Sequence, residues 1–202
     1  MKAIYYEKYG NISVLKQGEI DDPKKVSDKE VLIKVNFFSL NPLDYKLRNG
    51  MLKLMTFRTF PRTTGSDFSG EIIAKGESVN NFEIGEKVFG FLSQLNEGTS
   101  SQFIKVNQSI LSKAPSNIDI GKAAAVPLAA LTSYQALVQL AKIKKGNKVL
   151  INGASGGTGI FAIQIAKIFG AKVTSITSHR NINWMLDCLL YTSDAADDSQ
   201  CV

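Results

Sequence analysis

The stretch that decides the fold is KKGNKVLINGASGGTGIFAIQIAKIFGAKVTSITS, which occupies residues 144–178. Residues 149–151 form a short apolar run without alternation, which is typical of a strand buried in a parallel sheet. Residues 159–169 carry apolar side chains at helical intervals, and Gly170 is suited to the position that follows a helix. Residues 172–177 form a second, β-branched strand. Strand, glycine turn, helix and strand in this order predict a βαβ unit whose strands pair in parallel.

The turn between the first strand and the helix is NGASGGTG, residues 152–159. Its glycines predict a dinucleotide site, because a pyrophosphate must approach the backbone amides at a helix N-terminus closely. A side chain on Gly156 would keep the phosphates out, and one on Gly159 would push the helix away from the strand. A tight strand-to-helix turn without a ligand is the alternative. The expected cofactor-binding residues of this turn are Gly153, Ser155, Gly156, Gly157, Thr158 and Gly159.

The residues after the second strand indicate which nicotinamide cofactor binds. NAD enzymes of this type carry Asp or Glu there, whereas this chain reads TSHRN at residues 177–181. Hydroxyl groups and an arginine suit the 2′-phosphate of NADPH, which a carboxylate would repel. We therefore expect Ser178, Arg180 and Asn181 to contact NADPH. An ordinary solvated side chain is the alternative for Arg180, and we interpret His179 as a loop residue without a chemical role.

Residues 1–120 are rich in short runs of alternating character. In VLIKVNFF, residues 31–38, every second side chain is apolar, which is the period of a strand. Closely spaced short strands separated by glycines favour a partly closed β-barrel. After the barrel, Asp119 is a candidate N-cap, and Pro127 should divide the helical run that follows into a short and a longer helix. Further strands are predicted at residues 2–6, 70–75, 87–91 and 102–106.

Composition and charge exclude several classes of protein. The hydrophobic content of 44% and charged content of 21% are ordinary globular values, so a wholly disordered chain is excluded. The net charge of +6 comes from scattered lysines, which favours a solvated basic surface over a nucleic-acid binder. The first ten residues lack the apolar core of a signal peptide, and no uninterrupted apolar run could span a membrane. We therefore predict a cytoplasmic protein with no nucleic-acid and no membrane partner.

The last fifteen residues differ in character from the rest. Both cysteines, Cys188 and Cys201, lie there, so the preceding residues offer no thiol for a disulfide or a thiolate metal site. The stretch CLLYTSDAADD is similar to one reading frame of a sequencing-library adapter. We interpret residues 188–202 as a read-through tail outside the fold, which would mean that the natural gene product continues beyond Asp187. A divergent natural tail is the alternative.

Taken together, these segments resemble the quinone oxidoreductase branch of the medium-chain dehydrogenase/reductase superfamily. The resemblance implies a β + α/β fold: a GroES-like β-barrel over residues 1–120, followed by the start of a truncated Rossmann domain over residues 121–187. It also implies a quinone or enone as the small-molecule substrate, and it admits a homodimer of the whole protein. In order, the similar segments are MKAIYYEKYG, SLNPLDYKLRNG, TTGSDFSGEI, VNNFEIGEKVFG, AAVPLAALTSYQAL, NGASGGTG and TSHRN, which span residues 1–182.

The same resemblance implies that no metal takes part. Zinc-dependent relatives carry a cysteine where this chain has Asn41 and a histidine where it has Ser66, and zinc sites draw mostly on thiolate and imidazole ligands. Without a metal to polarise an alcohol, the favoured reaction is hydride transfer from NADPH to the β-carbon of a quinone or an α,β-unsaturated carbonyl. The charge that develops is delocalised onto a conjugated oxygen, while the protein supplies position and hydrogen-bond donors.

Four residues are candidates for the active site by this resemblance. Asn41, Tyr45 and Lys46 belong to the loop that holds a zinc ligand in relatives, and Thr132 occupies the position that contacts the nicotinamide region. We expect Asn41 and Thr132 to orient cofactor or substrate, and Tyr45 or Lys46 to supply polarity. As alternatives, Asn41 could shape a turn with the following proline, and Tyr45 could be half-buried packing with a wet hydroxyl.

Two functions of the whole protein remain open. One is an NADPH-dependent reductase; the other is a non-catalytic NADPH-binding sensor or scaffold, since the sequence contains no unmistakable catalytic acid. The 202-residue chain itself is expected to bind NADPH poorly and to catalyse nothing. The reason is that a two-stranded Rossmann sheet should leave apolar residues 149–151 and 173–176 exposed.

Overall fold

The computed structural model describes residues 1–23, 25–54, 60–93, 97–190 and 200–201. The chain forms two compact units, Met1–Pro127 and Leu128–Val202. The first unit is mainly antiparallel β-structure, and the second is α/β. Among the described residues, no helix is both long and apolar enough to cross a membrane.

The first unit contains two antiparallel sheets, with strand orders β2-β1-β4 and β7-β3-β5-β6-β8. A backbone hydrogen bond of 2.8 Å from Ile4 N to the carbonyl oxygen of Ser100 links β1 to the segment before β7. The larger sheet carries the core, in which Val31, Phe68 and Ile104 are almost fully buried. The elements of this unit, in chain order, are β1 (Lys2–Tyr6), β2 (Lys16–Glu19), β3 (Glu30–Ser39), α1 (Pro42–Arg48), β4 (Arg62–Thr63), β5 (Asp67–Lys75), β6 (Lys87–Phe91), β7 (Phe103–Asn107), β8 (Leu111–Lys113) and α2 (Ile120–Ala123).

Two parts of this unit differ from the sequence-based expectation. Strand β5 begins at Asp67 rather than at residue 70, because residues 67–69 pair with both β3 and β6 and are buried on both faces, which removes the alternating signal. The segment after Asn41, expected as a loop, is helix α1, with Asn41 as N-cap and a proline at the first helical position. Both are ordinary signals of a helix start.

The chain divides into the two units between Pro127 and Leu128, seven residues beyond the predicted boundary. The difference arises because α2 packs against β3 and β5 of the barrel unit. It is held there by a 2.6 Å hydrogen bond from Ser69 Oγ to the carbonyl oxygen of Ile120. The predicted N-cap is present, since Asp119 Oδ1 accepts a 2.7 Å hydrogen bond from Gly121 N.

The second unit is built around a parallel sheet of order β11-β10-β9. β9 and β10 pair in parallel from Lys148↔Lys172 onwards, as the βαβ pattern predicts. The helix after the glycine turn, α4 (Gly157–Ile168), is followed by Gly170 just beyond its C-cap, as expected. Gly170 has φ 72° and donates a 2.8 Å hydrogen bond from its N–H to the carbonyl of Lys167. The elements of this unit are α3 (Pro127–Tyr134), a π-helical segment (Gln135–Leu140), β9 (Lys148–Asn152), α4 (Gly157–Ile168), β10 (Lys172–Ile176), a 3₁₀ turn (His179–Asn181), α5 (Ile182–Leu190) and β11 (Gln200–Cys201).

The sheet is covered on one face. Ile151 and Val173 are buried in a cluster with Ile163 of α4 and Met185 of α5. Leu150 and Ile176, on the opposite face, are 65% and 38% exposed. The expectation that both strands expose their apolar residues is therefore wrong for Ile151 and Val173, because the two helices cover them.

The predicted tail takes part in two elements. Helix α5 continues past Asp187 to Leu190, and Gln200 and Cys201 pair in parallel with Thr174 and Ser175 of β10. The structure thus differs from the expectation that residues 188–202 lie outside the fold. Their origin as a read-through stays a prediction.

Candidate cofactor site and candidate active site

The glycine turn carries the chain from β9 into α4 in a compact loop. Gly153 has φ 72°, a left-handed conformation that favours glycine. Ala154 N then donates a 3.0 Å hydrogen bond to the carbonyl oxygen of Ile176 at the end of β10. Gly156 N closes the turn with a 2.9 Å bond to the carbonyl of Gly153. The start of α4 is therefore fixed to the carboxyl ends of both strands, where α/β folds bind their ligands.

The first turn of α4 offers backbone N–H groups to a ligand. The amides of Gly157, Thr158 and Gly159 precede the first intrahelical bond, which runs from Ile160 N to the carbonyl of Gly156 at 3.0 Å. The N-cap, Gly156, has no side chain to cap them, and the first turn carries no acidic residue. This arrangement suits an anion, because the amides and the helix dipole both favour negative charge.

The glycines of the turn serve two different needs. A Cβ on Gly159 would lie 2.5 Å from the carbonyl oxygen of Ala154, so the turn itself requires a glycine. A Cβ on Gly156 would meet only the Gly153 oxygen at 3.2 Å, and one on Gly157 would meet nothing within 4 Å. The chain therefore leaves open space above these two positions, where a phosphate could approach the backbone.

Ser155 connects the glycine turn to the residues that follow β10. Its Oγ accepts hydrogen bonds from Thr177 Oγ1 at 2.8 Å and from Asn181 Nδ2 at 2.9 Å. Ser178 immediately precedes the 3₁₀ turn and Arg180 lies within it, and both residues are exposed. The structure thus brings the two predicted halves of the cofactor site together.

Thr132 lies on the exposed side of α3. Its Oγ1 donates a 2.7 Å hydrogen bond to the carbonyl oxygen of Leu128, one turn earlier in the same helix. The neighbouring Ser133 is 1% exposed. The Ser133 hydroxyl lies 2.7 Å from the carbonyl oxygen of Thr158 and so ties α3 to the first turn of α4. Sequence reasoning missed Ser133, and nothing in the local pattern distinguishes it from its neighbours.

The remaining candidates lie in the first unit, around the start of α1. Asn41 Nδ2 donates a 2.9 Å hydrogen bond to Asp67 Oδ2, which also accepts from Ser39 Oγ at 3.0 Å. Asn41 N donates to the carboxylate of Asp44, and Ser66 Oγ lies 3.3 Å from the other oxygen of that carboxylate. Both carboxylates are buried. The positions that hold zinc ligands in zinc-dependent relatives therefore belong here to one hydrogen-bonded network, which fixes the orientation of the Asn41 amide.

An apolar cavity of about 420 Å³ adjoins this network. Asn41 and Tyr45 line it together with Arg48, and its other walls include Ile12, Leu15 and Phe38. Tyr45 is 45% exposed, whereas Lys46 is half-buried and does not line the cavity. The volume lies within the range of small-molecule pockets. Across the described ranges, no group of three or more His, Cys, Asp or Glu residues is placed to hold a metal ion.

The chain is similar to several known proteins. The family model for the alcohol dehydrogenase GroES-like domain matches residues 27–127. A chloroplastic quinone-oxidoreductase homolog of Spinacia oleracea is 36% identical over 191 residues, which is 92% of this chain and 58% of the relative. The mitochondrial NAD(P)H oxidoreductase RTN4IP1 of Mus musculus is 34% identical over 195 residues, 88% of this chain and 49% of that protein.

A solved structure gives the same result for the fold. The quinone oxidoreductase from Coxiella burnetii superposes with a TM-score of 0.85 at 35% identity, covering 100% of this chain and 62% of that one. The chain thus spans about half to three fifths of the length of these proteins. The two-part fold, a GroES-like unit followed by the start of a Rossmann unit, is confirmed.

Proposed function

We propose that the whole protein is an NADPH-dependent reductase. The premise is that this chain belongs to the alcohol dehydrogenase GroES-like family and to its quinone oxidoreductase-like branch. Its substrates are quinones or α,β-unsaturated carbonyl compounds. The observation that carries the proposal is the uncapped N-terminus of α4, where Gly156 and Gly157 leave room for a phosphate beside unpaired amides.

The residues of the turn suit the diphosphate of a nicotinamide dinucleotide. The amides of Gly157, Thr158 and Gly159 donate to its oxygens, and Ser155 adds a hydroxyl beside them. Gly153 and Gly156 let the backbone approach closely. The bound cofactor would supply a hydride, while the chain supplies binding and orientation.

Preference for NADPH over NADH rests on the residues after β10. Arg180 is exposed and Ser178 adjoins it, and residues 177–181 contain no carboxylate to repel a 2′-phosphate. Arg180→Gln should weaken NADPH binding by roughly tenfold or more, the value of a charge-assisted hydrogen bond, and leave NADH binding unchanged. Lys148→Gln, a similar loss of charge at an exposed position of β9, serves as the control. An equal loss of NADPH affinity in both variants would contradict a specific role for Arg180.

The roles of the predicted active-site residues follow from the hydrogen bonds and charges that their side chains can offer. Because the Thr132 hydroxyl donates to the Leu128 carbonyl, its lone pairs remain to accept from an amide N–H, such as that of the nicotinamide. Asn41 is held by Asp67 and acts by orientation. Tyr45 supplies a hydrogen-bond donor for the developing negative charge on the substrate oxygen, and Lys46 contributes a positive charge on the same helix.

The test is steady-state oxidation of NADPH by the whole protein, with a panel of quinones and enones. Turnover with at least one acceptor is expected. Tyr45→Phe should lower kcat by roughly tenfold or more, whereas Tyr134→Phe, at a tyrosine exposed to a similar degree, should not (45% and 42% exposed). Cofactor binding without turnover of any acceptor would sink the reductase and favour a sensor or scaffold.

Location and assembly stay predictions. A cytoplasmic protein was expected from the sequence, while the spinach and mouse relatives are named as chloroplastic and mitochondrial proteins. Fractionation of cells that express the tagged gene product would locate it. The homodimer expected by resemblance is tested by sedimentation of the same product.

A further inference from the structure

Ser155 holds an unusual position in the cofactor turn, because its hydroxyl oxygen accepts two hydrogen bonds from residues more than 20 positions away. Thr177 Oγ1 lies 2.8 Å and Asn181 Nδ2 lies 2.9 Å from Ser155 Oγ. All three residues are partly buried. A hydroxyl oxygen has two lone pairs and one proton. With both lone pairs occupied, Ser155 can act toward a ligand only as a donor.

We infer that Thr177 and Asn181 are positioning residues, which hold the Ser155 hydroxyl so that its proton points to a phosphate oxygen of the bound dinucleotide. This inference rests on the proposed function, since it assigns roles within the same cofactor site. A phosphate oxygen suits this donor because it accepts hydrogen bonds and carries negative charge, which makes the bond charge-assisted. Accepting two hydrogen bonds also polarises the Ser155 O–H, which strengthens its own donation.

The place of Ser155 in the turn supports a phosphate as its partner. It immediately precedes Gly156, the N-cap of α4, and therefore lies beside the amides that favour an anion. Within the described part of the chain, the side-chain partners of Ser155 Oγ are Thr177 and Asn181, and neither is a carboxylate that could compete for its proton. Both the diphosphate and the 2′-phosphate of NADPH offer the required oxygen.

This inference changes the role expected for Asn181 from the sequence. One N–H of its amide donates to Ser155 Oγ, and the role that we infer for Asn181 is to act through Ser155. The bond joins residues 26 positions apart, and it couples the turn before α4 to the turn after β10. The shape of the phosphate site thus depends on both ends of the βαβ unit.

The coupling can be tested by a double-mutant cycle on NADPH affinity, measured by fluorescence titration of the whole protein and, in parallel, of this chain. Ser155→Ala should weaken binding by roughly tenfold, and Asn181→Ala and Thr177→Val by several-fold. The double variant of Ser155→Ala with Asn181→Ala should bind no worse than Ser155→Ala alone, because the two residues act as one unit. Ser155→Thr, which keeps the hydroxyl, should restore most of the affinity.

Matched controls lie close by in the chain. Asn183→Ala removes an exposed amide two residues beyond Asn181. Thr174→Val removes a hydroxyl from β10, three residues before Thr177. Among the described residues, the side chains hydrogen-bonded to Ser155 Oγ are those of Thr177 and Asn181. Both variants should bind NADPH like the wild type. Asn181→Asp provides a reversal, since a carboxylate accepts the Ser155 proton; it should weaken NADPH binding more than Asn183→Asp, which adds the same charge nearby.

The outcomes separate this inference from the proposed function. Loss of NADPH and NADH affinity together in Ser155→Ala identifies the diphosphate as the partner, and loss of NADPH affinity alone identifies the 2′-phosphate; both support the inference. Additive effects of the Ser155 and Asn181 substitutions, or full affinity in Ser155→Ala, overturn it while the reductase stands. If the wild-type gene product does not bind NADPH, the proposed function falls and takes this inference with it.

Discussion

Gly156 and Gly159 lie three residues apart in one turn, yet the chain needs them for different reasons. A Cβ on Gly159 would lie 2.5 Å from the carbonyl oxygen of Ala154, which the backbone cannot accommodate without a shift. A Cβ on Gly156 would approach the Gly153 oxygen to 3.2 Å and meet no other atom within 4 Å. Gly159 is thus required by the fold, and Gly156 leaves space that the folded chain does not use.

Alanine at these two positions should therefore affect different properties. Gly159→Ala is expected to lower the free energy of unfolding by about 1–3 kcal/mol through overpacking. Gly156→Ala should change it by less than about 1 kcal/mol but should weaken NADPH binding, because its methyl group occupies the space open to a phosphate. Urea unfolding and NADPH titration measure the two effects. An unfolding cost in Gly156→Ala as large as that in Gly159→Ala would contradict this division.

Replacing either of two buried serines of the second unit with alanine should change the free energy of unfolding, but in opposite directions. Ser175 Oγ, in β10, is fully buried and has no hydrogen-bond partner among the residues that the structure describes, whereas Ser133 Oγ lies 2.7 Å from a carbonyl oxygen of α4. Ser175→Ala should raise the free energy of unfolding by about 1 kcal/mol, and Ser133→Ala should lower it by about as much. Urea unfolding at one pH compares the two variants directly. Destabilisation by both would show that Ser175 has a partner.

At the scale of the residue, the sequence predicts features that depend on residues close in sequence. The N-cap at Asp119 and the helix end at Gly170 follow from rules that span a few residues, and both are present. The bond between Ser155 and Asn181 joins residues 26 positions apart. It exists because β9 and β10 pair in parallel in one register, and no local pattern encodes that contact.

At the scale of the element, the βαβ unit was the most predictable part of the chain. Buried parallel strands and the helix between them leave strong apolar periods in the sequence. Helix α1 was missed, although its N-cap at Asn41 and the proline after it are signals of a helix start, because the same two residues also suit a turn. The buried network that ties Asn41 to Asp67 could not be predicted either, since it needs the start of β5 to lie beside α1.

Helix α4 carries a lysine on its buried side. Lys167 is 9% exposed, and burial lowers the pKa of its ammonium group below the ordinary value. Because the folded state binds this proton more weakly than the unfolded state, the contribution of Lys167 to stability rises with pH through the window between the two pKa values. Below that window, the charged form remains a cost to the folded state.

The stability of Lys167→Met relative to the wild type should therefore be greatest near neutral pH. The free energy of unfolding of the variant minus that of the wild type should decrease as the pH is raised toward the ordinary lysine pKa of about 10.5. Urea unfolding at several pH values measures the difference between the two proteins. Lys148→Met, at an exposed position of β9, should show a constant difference. If the Lys167→Met difference is also constant with pH, burial of this charge does not affect stability.

At the scale of the whole molecule, one face of the parallel sheet in the second unit is exposed among the residues that the structure describes. Such sheets are normally covered on both faces. Here α4 and α5 cover the face with Ile151 and Val173, while the opposite face presents Leu150 and Ile176. The exposed apolar side chains of Leu150 and Ile176 favour association with other copies of the chain.

The 202-residue chain should therefore self-associate through this face. Leu150→Lys places a charge at its centre, where Leu150 is 65% exposed, and is expected to shift the chain toward the monomer in sedimentation velocity runs at increasing concentration. Ile84→Lys makes a comparable change in a loop of the first unit, where Ile84 is 62% exposed, and should leave the distribution unchanged. Because solubility alone would improve with either lysine, only a difference between the two variants supports the sheet face as the interface. Equal dispersal by both, or a wild-type chain that stays monomeric at all concentrations, would show that exposure of Leu150 and Ile176 does not drive association.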